Sequence, residues 1–183
     1  LAKLYLNSQV YTGVDRSALA LENVNKVIGS GYTLATINEG ETYGKLFMAD
    51  NDTNGAENEA IFTVNFDGIL TQSWGGMTYL VHASCGPVVA PTLGIDGAWQ
   101  GFRPRQEFFA QVGTDKRVIT PSTDSSPLSI TNYLEFPQGK KAIKFSNMRS
   151  DGSNGKSLQH CDADFPMFRL ADAYLMYAEL AVV

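Results

Sequence analysis

Both ends of this chain carry apolar residues at helical spacing, and the long stretch from Thr33 to Asp164 abandons that spacing. Leu1, Leu4, Tyr5, Ser8 and Tyr11 recur at intervals of three and four, which predicts a helix ended by a left-handed cap at Gly13. Ala20, Leu21, Val24, Val27 and Ile28 make a second stripe, stopped by Gly29-Ser30-Gly31. A loop this short obliges the two helices to pack antiparallel. Pro166 stands where a first helical turn tolerates proline, and Met167, Leu170, Ala171, Tyr174, Leu175 and Ala178 continue the spacing into a third helix. The small residues Ala2, Ala20, Ala171 and Ala178 permit close approach, and a helix pair of this length is the unit of a tetratricopeptide solenoid. One pair and a third helix should leave apolar faces open, since a solenoid repeat buries its stripe against neighbours.

The middle has a different texture. Phe62, Val64 and Phe66 alternate with Ile61, Thr63 and Asn65 ahead of Asp67-Gly68, which predicts a strand and its turn. Met77 to Val81 and Ala142 to Phe145 are weaker strand candidates, and 149–156 is a polar loop. The expected organisation is a helix pair over 1–32, a loop-rich insertion over 33–163 and the start of a further helix over 164–183. The fold class is mainly α, a tetratricopeptide-like scaffold with an irregular insertion containing short strands. Loops on a rigid scaffold are where function usually sits.

Composition excludes several functions. With 183 residues, 44% of them hydrophobic and 18% charged, the chain can bury a core. A net charge of −5 without a basic stripe argues against nucleic acid, whose affinity comes from clustered Lys and Arg. The most apolar stretch, Ala173 to Val183, is far shorter than the ~20 residues a membrane helix needs. The chain opens at Leu1 and closes at Val183 inside apolar periodic segments, so both ends look cut, and any signal or anchor is expected outside it. Cys85 and Cys161 match no metal or redox spacing and read as ordinary small residues.

No catalytic motif is present. His82 and His160 are the only histidines and stand in no recognisable constellation. Asp96, Glu107 or Asp115 could supply the two carboxylates of a glycoside hydrolase, but any globular chain offers such pairs, and solvated surface acids are the simpler reading. The tryptophans say more. Trp74 follows Ser73 and precedes Gly75-Gly76, and Trp99 lies between Gly97-Ala98 and Gln100-Gly101. Glycine neighbours leave a ring uncovered, and the negative face of an indole suits the weakly positive C–H face of a pyranose. Against this, a tryptophan is highly buried on average, and core packing is the competing reading.

Residues 50–55, Asp-Asn-Asp-Thr-Asn-Gly, begin like a calcium loop with oxygen ligands at alternate positions. The EF-hand reading fails because Ile61 occupies the position of the bidentate Glu. The run is either an Asx-rich turn or part of a calcium site completed from elsewhere, with Asp162 and Asp164 as candidates that could equally cap the third helix.

Taken together, residues 2–13, 46–52, 74–81 and above all 164–179 resemble the SusD (RagB/SusD) family of glycan-binding lipoproteins, with matches along the whole chain. The resemblance implies a tetratricopeptide-like scaffold whose irregular insertion bears the sugar site, and no enzymatic activity. It implies localisation at the cell surface, on the outer membrane, through a lipid anchor outside this chain. It also implies a partner, a SusC-like TonB-dependent transporter that imports the captured oligosaccharide. In the starch-binding member an arc of three aromatics follows an α-glucan, and two of its positions match Trp74 and Trp99, the first with Trp in place of Tyr. The third belongs to an amino-terminal part that this chain lacks. A structural calcium is implied in the same way, at Asp52, Asn58, Asp162 and Asp164, with Asn58 in place of Gln and one residue fewer in the intervening loop. The rival expectation is a protein-interaction scaffold of the tetratricopeptide type whose tryptophans are buried.

Overall fold

A computed structural model describes residues 1–35, 41–115, 117 and 125–182, with the side chains of 41 and 42 excepted. Its described residues are mainly helical, with seven α-helices and one antiparallel pair of strands. The helices are α1 (Ala2–Leu6), α2 (Ser8–Thr12), α3 (Ser17–Ile28), α4 (Glu41–Lys45), α5 (Gly76–Ala83), α6 (Gln106–Val112) and α7 (Leu170–Val182). The strands are β1 (Ala60–Val64) and β2 (Phe165–Arg169), and short 3-10 turns cover Ala56–Asn58 and Ala90–Leu93. The chain divides into two compact units, one of Leu1–Ala35, Ala56–Thr63 and Pro166–Val183, the other of Thr36–Gly55 and Val64–Phe165. The segment 56–63, expected within the insertion, thus belongs with the helices.

In the helical unit, α1 and α7 both pack on α3. Ala20 and Val24 of α3 are fully buried, and Ala2 meets the same seam. On α7 the buried residues are Leu170 and Ala173, whereas Tyr174, Leu175 and Tyr177 are exposed. Ala171 is half-buried and Ala178 exposed, so the fully buried small residue of this helix is Ala173. The first expected helix is two, parted at Asn7, whose backbone leaves the helical region (φ −95°, ψ 11°) while its amide and its side chain both donate to the Lys3 carbonyl, at 3.3 and 2.9 Å. Gly13 then closes α2 in the left-handed conformation, φ 72°, as its position in the sequence requires.

Pro166 does not open a helix. It lies in β2, and α7 starts only at Leu170, whose amide donates to the Glu59 carbonyl at 3.0 Å. Both strands of a two-stranded sheet are edges, where a proline costs no ladder bond if its nitrogen faces outward. The buried Glu59 carboxylate fixes this junction by accepting from Arg169 Nη1 at 3.0 Å and from the Ala35 amide at 2.9 Å. The apolar alternation that marks β1 faces outward, with Phe62 and Val64 exposed and Phe62 resting 6.3 Å from Phe168 across the pair.

The second unit is built from loops around α5. Met77, Val81 and Cys85 recur every fourth residue and are fully buried, so Met77–Val81 forms the middle of a helix and not the expected strand. Alternation would have buried Tyr79, which is exposed, and exposed Thr78, which is buried. Ala142–Phe145 is likewise no strand. Its burial does alternate through Lys141, Ile143, Phe145 and Asn147, but its neighbours' amides bond to separate loops, Ser146 to the Phe47 carbonyl and Asn147 to that of Leu93.

Two asparagines supply the bonds that a sheet would otherwise provide. Asn147 donates to the carbonyls of Gly94 and Ser157 at 2.9 and 2.7 Å and accepts from the Asp162 amide at 2.9 Å. Asn51 donates to the carbonyls of Leu46 and Asp164 and accepts from the Asp164 amide. Aromatic edges complete the core, with Phe47 5.2 Å from both Tyr43 and Phe145.

Candidate functional site

Trp74 and Trp99, 25 positions apart in sequence, meet in the second unit with ring centroids 6.0 Å apart and planes inclined by 49°. Trp74 exposes 61% of its surface and Trp99 is half-buried. The expectation of buried tryptophans is therefore incorrect for Trp74, and Trp99 is only partly covered.

Each ring has a local cause for its place. Trp74 precedes the glycine pair that starts α5, and Gly76 takes φ 56°, a conformation that side chains resist. A Cβ on Gly76 would also strike the Phe66 ring, so this glycine is required twice over. Trp99 is fastened to the other end of the same helix. Its amide donates to the His82 carbonyl at 2.8 Å, and the Phe102 amide donates to that of Ala83 at 2.9 Å, satisfying two of the carbonyls a helix leaves free in its last turn. Gln100, between them, is the only described non-glycine residue with positive φ, at 57°.

A histidine lies under each indole. The His82 ring stacks on Trp99 at 4.8 Å with planes 26° apart, and the His160 ring is 4.7 Å from Trp74. Both imidazoles are buried. His82 Nδ1 faces the Gly97 carbonyl at 2.8 Å, and because a carbonyl only accepts, the proton of the neutral ring belongs on Nδ1. Burial holds His82 below the usual histidine range, against the smaller upward pull of the Gly97 carbonyl and the Asp96 charge. His82 is thus a neutral, packed support. Tyr79, three residues earlier on α5, places its ring 6.2 Å from Trp99 and is 46% exposed. Helical spacing in α5 puts Tyr79 and His82 on one face, a relation that a strand over Met77–Val81 would not give.

The acids are arranged otherwise. Glu107 is exposed and pairs with Arg105, and Asp115 pairs with Arg117, whose hydrogen bonds hold its carboxyl down at about 2. Such a carboxylate cannot serve as the proton donor a glycosidase needs. Asp96 is exposed, with its amide bonded to the Leu158 carbonyl.

Of the four residues expected around calcium, Asp52, Asp162 and Asp164 lie in the second unit and Asn58 in the helical one. Asp162 is buried and accepts the amides of Gly68 and Lys156, each at 2.6 Å on a separate oxygen. Asp164 accepts the Phe66 amide at 2.9 Å. Burial pushes the Asp164 carboxyl up, as does the charge of Asp52, while the Phe66 amide draws it down. Asp50 is occupied with Ser150, accepting its amide and its hydroxyl. Among the described residues no group of three or more His, Cys, Asp or Glu converges as a metal site. An ion here would have to draw part of its shell from carbonyl or amide oxygens, which calcium accepts.

No helix among the described residues is long and apolar enough to cross a membrane. No family model matches the chain. It is 33% identical over 228 residues to the starch-binding protein SusD of Bacteroides thetaiotaomicron. That similarity takes in 97% of this chain and 40% of that protein, so the chain spans less than half the length of the curated relative it matches.

Proposed function

We propose that this chain, a SusD-like sequence, binds α-glucan oligosaccharides on the Trp74–Trp99 surface and does no chemistry on them. The observation that carries the reading is the indole pair itself, two rings 6.0 Å apart, inclined by 49° and open to solvent at Trp74. A sugar face laid on an indole gains dispersion and C–H to π attraction without any group being activated. Inclined rings suit a chain that bends, as an α-linked glucan does. The starch-binding name of the relative supports the same class of ligand.

The resemblance to the SusD family supports a wider setting. In this reading the chain is held at the outer-membrane surface by a lipid anchor outside these residues, and it hands oligosaccharide to a SusC-like TonB-dependent transporter. The helical unit forms part of a tetratricopeptide-like scaffold. Calcium, as a structural ion, would draw on Asp52, Asp162 and Asp164, with carbonyl or amide oxygens completing its shell. The rival reading, a peptide-gripping scaffold with core tryptophans, has the exposure of Trp74 against it.

Little area is buried by two rings, so dissociation constants on the order of micromolar to millimolar are expected. Isothermal titration with maltoheptaose tests the reading. Trp74→Ala and Trp99→Ala should each weaken binding by about tenfold or more. Unchanged heats in both variants would remove the indole pair from the site.

A further inference from the structure

We infer that Tyr79 is a third glycan-contacting ring, so that the binding surface within this chain runs Trp74, Trp99, Tyr79 and its length selectivity is set at the Tyr79 end. The inference rests on the indole pair being the sugar platform. Trp99 stands in the middle, with Trp74 at 6.0 Å and Tyr79 at 6.2 Å, and each flanking ring is inclined to it by 49°. The middle ring is the half-buried one and both flanking rings are exposed. Spacings of this size are comparable to one pyranose and its linkage, so successive sugars of one chain could meet successive rings.

Tyr79 is also chemically suited to the end of such a surface. Its ring is apolar, and its hydroxyl, which has no partner among the described residues, can donate to or accept from a sugar hydroxyl. Its position is fixed by helix geometry. Tyr79 lies in the first turn of α5, where its amide donates to the Gly75 carbonyl at 3.4 Å, and His82, one turn on, stacks on the same Trp99 ring. Tyr79 also borders an apolar recess of about 380 Å³, lined by Phe66, Met77 and Phe165 among others. That gives a competing role for the residue, as a wall for the recess with no part in binding.

Titration of the full chain with maltose and with maltoheptaose separates the two roles. Maltose is short enough to be satisfied by the indole pair, and maltoheptaose can reach the third ring. For Tyr79→Ala the inference expects maltoheptaose affinity to fall about fivefold to tenfold while maltose changes by less than about twofold. Tyr79→Phe should lose about twofold to threefold on maltoheptaose through the hydroxyl alone. Tyr79→Leu keeps an apolar wall for the recess and should behave like the alanine variant, which guards against a folding defect. Equal losses on both sugars, or none on maltoheptaose while Trp99→Ala still weakens binding, would overturn this inference and leave the platform standing. If Trp99→Ala is also without effect, the platform and the third ring fall together.

Discussion

His82 supports Trp99 from two directions, with its ring stacked on the indole at 4.8 Å and its main-chain carbonyl accepting the Trp99 amide at 2.8 Å. A third tie runs from His82 Nδ1 to the Gly97 carbonyl. One residue of α5 thus sets both the height and the tilt of a ring that belongs to a loop. His82→Ala removes the stacked ring and leaves the Gly97 carbonyl without its donor. The expected cost is about 2–3 kcal/mol of stability in urea denaturation, with maltoheptaose affinity several-fold weaker. A variant as stable as the parent would show that the stacking is incidental.

Acid should loosen the same support. A histidine held below its ordinary range binds its proton less readily in the folded chain than in the unfolded one. The unfolded state is then the better proton binder, so the stability is complete above about pH 6.5 and declines as pH falls below that value. Thermal midpoints measured from pH 7.5 to 5 should fall, and His82→Gln should flatten the part of the slope nearest pH 6.5. The raised carboxyl of Asp164 acts with opposite sign in the carboxylate range, where protonation favours the folded chain. A profile that rises from pH 7 to 6 in the parent would contradict the assignment.

Gly76→Ala should be destabilising by about 1–3 kcal/mol, because it combines an unfavourable positive φ with a clash against the Phe66 ring. Gly101→Ala is the comparison, since a Cβ there meets nothing within 4 Å. Chemical denaturation of the two variants side by side gives the answer. Equal, small effects would mean that the turn before α5 relaxes freely and does not position Trp74.

Calcium is tested by thermal unfolding with and without added chloride salt, and with a chelator. Binding to the folded chain alone raises the midpoint in proportion to the logarithm of the ion concentration. The expected rise should be lost in Asp164→Asn, which keeps an acceptor for the Phe66 amide and removes the charge. Identical midpoints with calcium and with chelator would confine Asp162 and Asp164 to their bonds with backbone amides.

The α3 stripe was legible because burial there is decided by its own spacing, with Ala20 and Val24 on one face. Gly13 was legible for the same local reason. Pro166 was not, since its place in β2 depends on Glu59, more than a hundred residues earlier, capturing Arg169 and the Leu170 amide. Met77–Val81 misled because a short apolar run fits either periodicity, and only the burial of Thr78 and His82 decides it. The loops of the second unit were opaque, as their order comes from Asn51 and Asn147 reaching distant backbone. At the candidate site the two indoles could be named from their glycine settings, whereas their adjacency depends on Trp99 bonding to the end of α5.

That bond has a kinetic meaning. A ring whose main chain is tied to the last turn of a helix and whose face is stacked on His82 has little freedom to surrender when a sugar arrives. Capture should then be quick and dwell time short, with selectivity among glucans expressed in how long each one stays. Under the proposed reading, brief residence would let the surface release each sugar as readily as it takes it up.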